Sequence, residues 1–264
     1  MDRNSPILLF DSGVGGLTVL AELRELQPDA PVLFAADHAG MPYGTKTEPE
    51  VAARVAGLLG RMAERYQPSL ICIACNTAST IALSMVREVL EVPIVGTVPA
   101  IKPAAGMTKT GTIGLLGTEA TIRQPYVDQL EQDFASDHRL LRHAAPGLVQ
   151  LAEAKLRGRD VSVDDVTAEV RALVMQPGGQ DIDTIVLACT HFPLLLDELA
   201  EAFGDGIAFV DGSRGIARRI AALTEGMKLE RAEPDRAVTT GDLESFKELT
   251  DSFVAFNIHR LERF

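Results

Sequence analysis

Cysteine is scarce. Three in 264 residues, an odd number in a long chain, make no disulfide framework and point to reduced thiols in a reducing compartment. Long apolar runs are missing as well. No stretch reaches membrane-spanning length, and the opening segment Met1 to Phe10 has too short an apolar run and no cleavage pattern for a signal peptide. A cytoplasmic protein is expected. Basic charge is in deficit: 25 Lys and Arg against 37 Asp and Glu leave a formal charge of −12, whose long-range field repels phosphate backbones and anionic membrane surfaces. Neither nucleic acid nor membrane is an expected partner. Low-complexity segments and long linkers are absent too.

What is present is an ordinary globular composition, 46% hydrophobic, long enough for one large or two smaller domains. Two are expected. The organising stretch is Leu70 to Thr80, LICIACNTAST, an apolar β-branched run that stops at Cys75-Asn76-Thr77. It reads as a strand ending at Cys75, followed by a helix over Ile81 to Leu90 with Thr77 or Ser79 as its cap. A thiol there faces helix N–H groups, a setting that lowers thiol pKa and holds anions. Ile185 to His191, IVLACTH, repeats the pattern with Cys189.

In chain order, Ile7 to Phe10 reads as a strand, and Asp11-Ser12-Gly13-Val14-Gly15-Gly16 as a glycine-rich turn into a helix through Leu17, Leu20, Leu23 and Leu26. The turn is anion-friendly but lacks the spacing of a dinucleotide or phosphate loop. Val32 to Ala36 is a second strand, and Tyr43, between Pro42 and Gly44, is expected to be held out in a rigid turn before a helix over Pro49 to Tyr66. Val92 to Thr97 gives a fourth strand. A second series follows: strands at Thr112 to Leu116, Leu140 to Ala144, the run ending at Cys189, and Ile207 to Val210, with Glu153 on an amphipathic helix. Asp11 and Gly117, Pro42 and Pro146, Cys75 and Cys189, and Gly96 and Asp211 stand at nearly constant offsets. Two copies of one four-strand α/β unit, each a parallel sheet with ligands outside the strands' carboxyl ends, is the economical reading. The tail, with a helical pattern from Leu243 to Phe256, is expected to pack on the first unit.

Cys72 and Cys75 form a Cys-x-x-Cys, but a strand's period of two sends positions three apart to opposite faces, so Cys72 reads as a buried small hydrophobe. A zinc site from Cys75, Cys189 and His191 lacks a fourth ligand in a supporting spacing. A lone cysteine at a strand end is normally a core thiol; two at equivalent ends suggest acid/base groups on opposite walls of a pocket, with Asp11 and His191 within reach of a thiol. That suits inversion of a carbon bearing an acidic hydrogen, one thiolate taking the proton and the other thiol returning one to the opposite face. Nucleophilic catalysis by one cysteine is the competing use, as in a thiol hydrolase or decarboxylase, and a non-catalytic amino-acid-binding protein is a third. An anionic substrate would be held by local N–H groups and hydroxyls, with Asn76, Thr77, Thr118, Thr121 and Thr190 as candidates.

The motifs FDSGVGGLTVL, MPYGTKT, ACNTAST, VGTVPAIKPA, GLLGTEAT and LACTHFPLL together resemble the glutamate racemase family, of the cofactor-independent aspartate/glutamate racemase superfamily. The likeness covers most of the chain. It implies two similar parallel-sheet α/β domains related by a pseudo-twofold axis, with the active site in the cleft between them. Their expected spans are 1–97 plus 211–264, and 98–210. It further implies interconversion of L- and D-glutamate for peptidoglycan precursors in a bacterium, with neither pyridoxal phosphate nor metal. By the same matching Cys75 is expected to deprotonate the D-isomer and Cys189 the L-isomer, with Asp11, Glu153 and His191 as auxiliary acid/base groups. Asp11, Ser12, Pro42, Tyr43, Gly44, Asn76, Thr77, Thr190 and His191 are expected to contact substrate. Aspartate racemases share the cysteines but not the PYG turn or the THxPLL continuation, which favours glutamate. Ala145, Gln150 and Gln124 depart from residues common in the family. A homodimer is the candidate assembly, while the residues leave the oligomeric state and dimer face open.

Overall fold

The computed structural model describes residues 5–227 and 229–264. Residues 1–4, the head of the segment weighed above against a signal peptide, lie outside the described residues. The chain divides into two compact units, Met1–Thr97 with Ser213–Phe264, and Val98–Gly212.

The first unit opens with β1 (Ile7–Asp11), α1 (Leu17–Leu26), β2 (Val32–Ala36), α2 (Glu48–Tyr66), β3 (Leu70–Ile73), α3 (Asn76–Val89) and β4 (Ile94–Gly96). Every residue of β1, β2 and β3 is buried, as parallel strands covered on both faces require, so their sequences run apolar without alternation. Helix α2 begins where the Glu50 carboxylate accepts the Thr47 N–H at 2.9 Å, a capping box reinforced by Pro49 in the first turn. Its stripe Val51, Val55, Leu59, Met62 and Tyr66 is buried with Leu8, Phe10, Ile71 and Ile73 in one core.

The second unit contains α4 (Ile101–Met107), β5 (Thr112–Gly117), α5 (Glu119–Ile122), α6 (Pro125–Phe134), β6 (Arg139–Ala144), α7 (Gly147–Leu156), α8 (Val163–Val174), β7 (Thr184–Ala188), α9 (Leu196–Phe203) and β8 (Ala208–Val210). Its core joins Ile113, Leu115, Val186 and Ala188 to Ile101, Ala104, Val127 and Leu130. The chain then returns to the first unit with α10 (Ser213–Leu223), β9 (Asp235–Thr239), α11 (Leu243–Lys247), α12 (Thr250–Val254) and β10 (Ile258–Arg263).

Both sheets are wholly parallel. The second has the order β6-β5-β7-β8, and the first contains the same order as β2-β1-β3-β4. The expected duplication is therefore visible in the topology. The first sheet is nevertheless six-stranded, because β9 and β10 extend it beyond β2, so the expected four-strand unit and single helical tail are corrected there. In each unit the connections leave the first strand toward opposite sides, which opens a crevice outside the carboxyl ends of β1 and β3 and of β5 and β7. No helix among the described residues is long and apolar enough to cross a membrane.

Candidate active site

In the first unit, β1 delivers Asp11 and Ser12 to one side of this crevice and β3 delivers Cys75 to the other. All three are buried, Cys75 at 6% exposure and Cys72 at 0%, so only the former thiol keeps any access. Asp11 Oδ1 accepts the Gly13 N–H at 3.1 Å and the Ser12 hydroxyl at 3.3 Å. The Ser12 hydroxyl also lies 3.6 Å from the Cys75 sulfur. The backbone at Gly16 passes close to this group: a Cβ there would stand 3.1 Å from both Ala74 Cβ and Asp11 Oδ2.

Strand β3 ends at Ile73, not at Cys75, and Cys75 itself caps α3: its sulfur accepts the Ala78 N–H at 3.5 Å. The expected cap at Thr77 or Ser79 is corrected by this geometry. Thr77 lies inside α3, while the Ser79 hydroxyl ties two strand ends, donating to the Ile73 carbonyl at 2.8 Å and accepting the Thr97 N–H at 3.0 Å. A sulfur accepting a helix N–H is stabilised in its anionic form. Ile71, Ile73 and Cys75 share one buried cluster from which Cys72 is absent, in keeping with the period-two separation. Burial, with the Asp11 charge adding to it, pushes the Cys72 thiol up, which keeps it protonated.

Tyr43 is not held out in its turn. It is buried beside Cys75 in the same cluster, and its hydroxyl donates to Asp37 Oδ2 at 2.5 Å. Burial and the Asp37 carboxylate push its phenol up, so it stays a donor. Pro42 is exposed and Gly44 half-buried. Asn76 Oδ1 accepts the Thr97 hydroxyl at 3.4 Å.

In the second unit β7 ends at Ala188 and delivers Cys189, which is 7% exposed. A 3-10 turn, Phe192–Leu195, follows and brings His191 Nδ1 to 3.9 Å from the Cys189 sulfur. The other ring nitrogen, Nε2, lies 3.0 Å from Glu153 Oε1. An ionised Glu153 takes the Nε2 proton as a hydrogen bond and turns the Nδ1 lone pair toward the thiol. Arg157, the C-terminal cap of α7, closes the line: it ion-pairs with Glu153 Oε2 and donates to the Glu153 carbonyl at 3.0 Å. Helix α7 is held from α8 by Glu169, whose carboxylate accepts the Gly147 N–H at 2.9 Å. Thr118 caps α5, accepting the Thr121 N–H at 3.2 Å, and the two hydroxyls lie 3.0 Å apart. Thr190 is buried next to Cys189.

Sequence reasoning passed over Asp37, Arg157 and Glu169. Arg157 carried a signal, since Glu and Arg four apart on a helix form a favourable pair; Asp37 and Glu169 act on partners distant in sequence. No group of three or more His, Cys, Asp or Glu among the described residues could hold a metal ion.

Paired α/β units of one strand order, each with a thiol at the crevice of its sheet, define a class of protein. The chain belongs to the Asp/Glu/Hydantoin racemase family, whose model matches residues 18–220. Within that family it belongs among the glutamate racemases. It is 62% identical over 223 residues to the glutamate racemase of Sphingopyxis alaskensis, covering 84% of this chain and 83% of the relative. Its structure is similar to that of Escherichia coli glutamate racemase in complex with L-glutamate and the activator UDP-MurNAc-ala, with a TM-score of 0.91, 39% identity and 98% of each chain covered. Thermus thermophilus glutamate racemase, solved with beta-chloro-D-alanine, gives a TM-score of 0.78 at 31% identity over 100% of this chain and 98% of that one.

Proposed function

We propose that the chain interconverts L- and D-glutamate by two-base proton transfer at the α-carbon, with Cys75 and Cys189 serving opposite faces. The observation that carries this reading is the recurrence of a thiol at the same crevice of two units of one strand order, each beside a group able to trade or steady a proton. As thiolate, Cys75 removes the α-proton of D-glutamate while the Cys189 thiol protonates the opposite face; in reverse the roles exchange. One proton is taken and one given, so each turnover leaves the two sulfurs in exchanged protonation states.

Ser12 and the Ala78 N–H steady the Cys75 thiolate, and His191 with Glu153 takes up and returns the Cys189 proton. With a formal charge of −12 on the chain, the anionic substrate needs local donors, which Ser12, the Pro42-Tyr43-Gly44 turn, Asn76, Thr77, Thr118, Thr121 and Thr190 offer. Asp11 acts as an auxiliary acid/base group on the Cys75 side. The same reading makes the product a supply of D-glutamate for peptidoglycan, places the protein in the cytoplasm as a homodimer, and calls for no cofactor.

Polarimetry on L-glutamate with purified protein and no added cofactor tests the proposal. Rotation should fall to zero at constant total glutamate, with solvent deuterium entering the α-position in D2O. Chemical loss of glutamate would instead indicate a hydrolase or decarboxylase, and unchanged rotation a binding protein.

A further inference from the structure

We infer that Asp37 is a positioning residue that fixes the Pro42-Tyr43-Gly44 turn beside Cys75, and that the C-terminal segment takes part through Thr240; this rests on the function proposed above. Asp37 follows β2 and is fully buried. Its two carboxylate oxygens accept four donors: the Tyr43 hydroxyl and Arg54 Nε at Oδ2, both at 2.5 Å, and Arg54 Nη2 at 2.6 Å and the Thr240 hydroxyl at 2.5 Å at Oδ1. Its backbone carbonyl accepts the N–H groups of Gly40 at 2.9 Å and Met41 at 3.1 Å, so the residue grips the approach to the turn at both ends.

The surroundings are shaped for this grip. A Cβ on Gly40 would lie 2.3 Å from both Arg54 Nε and Asp37 Oδ2, so any other residue there would separate the guanidinium from the carboxylate. Thr240, beyond β9, also accepts the Ala39 N–H at 3.1 Å, and His38 stacks edge-on against Phe246 at 5.4 Å. A carboxylate with all its lone pairs engaged has no capacity left for substrate, and the Tyr43 hydroxyl is spent on it. Tyr43 therefore meets substrate through its backbone and ring, held in place by a hydroxyl engaged with Asp37.

Steady-state kinetics and hydrogen exchange test the assignment together. Asp37→Asn and Tyr43→Phe should each raise KM for both enantiomers about tenfold while kcat changes less than about threefold, the pattern of lost uniform binding. The double variant should be no worse than the more affected single one, because both changes break the same contact. Thr240→Val should show a smaller rise in KM, and Arg54→Lys should retain more affinity than Arg54→Met. Independently of substrate, backbone exchange over residues 38–47 should accelerate in Asp37→Asn.

Additive penalties in the double variant, or faster exchange with unchanged KM, would overturn the positioning role. Should Asp37→Asn not fold, Tyr43→Phe and Thr240→Val carry the same comparison, and unchanged exchange and KM in both would overturn it. If the wild-type protein does not racemise glutamate, the function above falls; the anchoring is then decided by exchange, and an unchanged rate in these variants overturns it.

Discussion

The two thiols occupy equivalent strand ends but are equipped differently. Cys75 caps a fourteen-residue helix and sits near a serine hydroxyl, whereas Cys189 precedes a 3-10 turn and leans on a line of His191, Glu153 and Arg157. The first arrangement steadies a thiolate with fixed dipoles; the second offers a base to receive the thiol's proton. The sheets differ in the same way: β2 is buried throughout beneath the neighbouring β9, while its counterpart β6 is an edge strand with no buried residue. Its Arg142 pairs with Asp128 and Glu131, and such charge on an edge discourages pairing with another chain. A duplicated backbone thus presents a cysteine twice, and unrelated side chains surround each one.

The sharpest way to break the comparison is to remove one thiol at a time. Cys75→Ser and Cys189→Ser should each lower racemisation by about 10⁴-fold, the upper range for loss of an acid/base group. On a glutamate analogue with a β-chloro leaving group, α-proton removal needs only one base. Cys75→Ser should still eliminate from the L-analogue and Cys189→Ser from the D-analogue, as chloride release would show. A mutant that keeps both eliminations, or full racemisation, would end the paired assignment; covalent catalysis would fail on both analogues.

Much of this was legible in the residues, for identifiable reasons. The strands of both crevices are buried parallel strands, so they run apolar and end sharply, and Cys75 and Cys189 stand out where they stop. The missed elements have the opposite character. Strand β9 follows Pro234 and opens with Asp235-Arg236, and β10 carries exposed charge as an edge strand, so both resemble surface helix or loop. Cysteine is an unusual cap beside two hydroxyl residues that are common ones, which drew the expected helix start too far along. Asp37 meets Arg54 and Thr240 from 17 and 203 residues away, and no local pattern reports such a contact.

The extension of the first sheet gives the next largest effect. Asp235 accepts the Val32 N–H at 2.7 Å, ion-pairs with Arg24 and lies 3.1 Å from Arg231 Nε, joining β9 to the duplicated part of the fold. Asp235→Ala leaves these donors, largely buried, without their carboxylate and should cost on the order of 3 kcal/mol. Urea denaturation should show the loss as a lower midpoint. A midpoint within experimental error of wild type would mean that β9 adds little to the first unit.

The different equipment of the thiols can be tested more finely at His191. Because the equilibrium constant between enantiomers is one, His191→Asn must lower kcat/KM for racemisation equally in both directions, so racemisation cannot show which thiol is affected. The eliminations can. Loss of the L-analogue reaction by about 10²-fold, with the D-analogue changed less than about threefold, is expected if His191 serves Cys189. Glu153→Gln should act in the same sense and more weakly. Equal losses on both analogues would make His191 a shared substrate contact instead.

The smallest expected effect concerns a carboxylate that only the second unit has at the head of its central strand. Asp183, just before β7, accepts the Thr108 hydroxyl at 2.6 Å, the N–H groups of Lys109 at 2.7 Å and Thr110 at 2.9 Å, and the Thr184 hydroxyl at 3.0 Å. Burial opposes its ionisation, but these four donors outweigh burial and bring its pKa down to about 2. A carboxylate depressed in the folded state adds stability above its ordinary pKa of about 4, and that stability is lost as pH falls toward about 2. Asp183→Asn should therefore destabilise the protein at pH 7 by on the order of 1 kcal/mol, discounted for solvent screening. The difference from wild type should shrink steadily between about pH 4 and about pH 2. Denaturant midpoints measured across that range provide the check, and a difference independent of pH would show that Asp183 acts through shape and not charge.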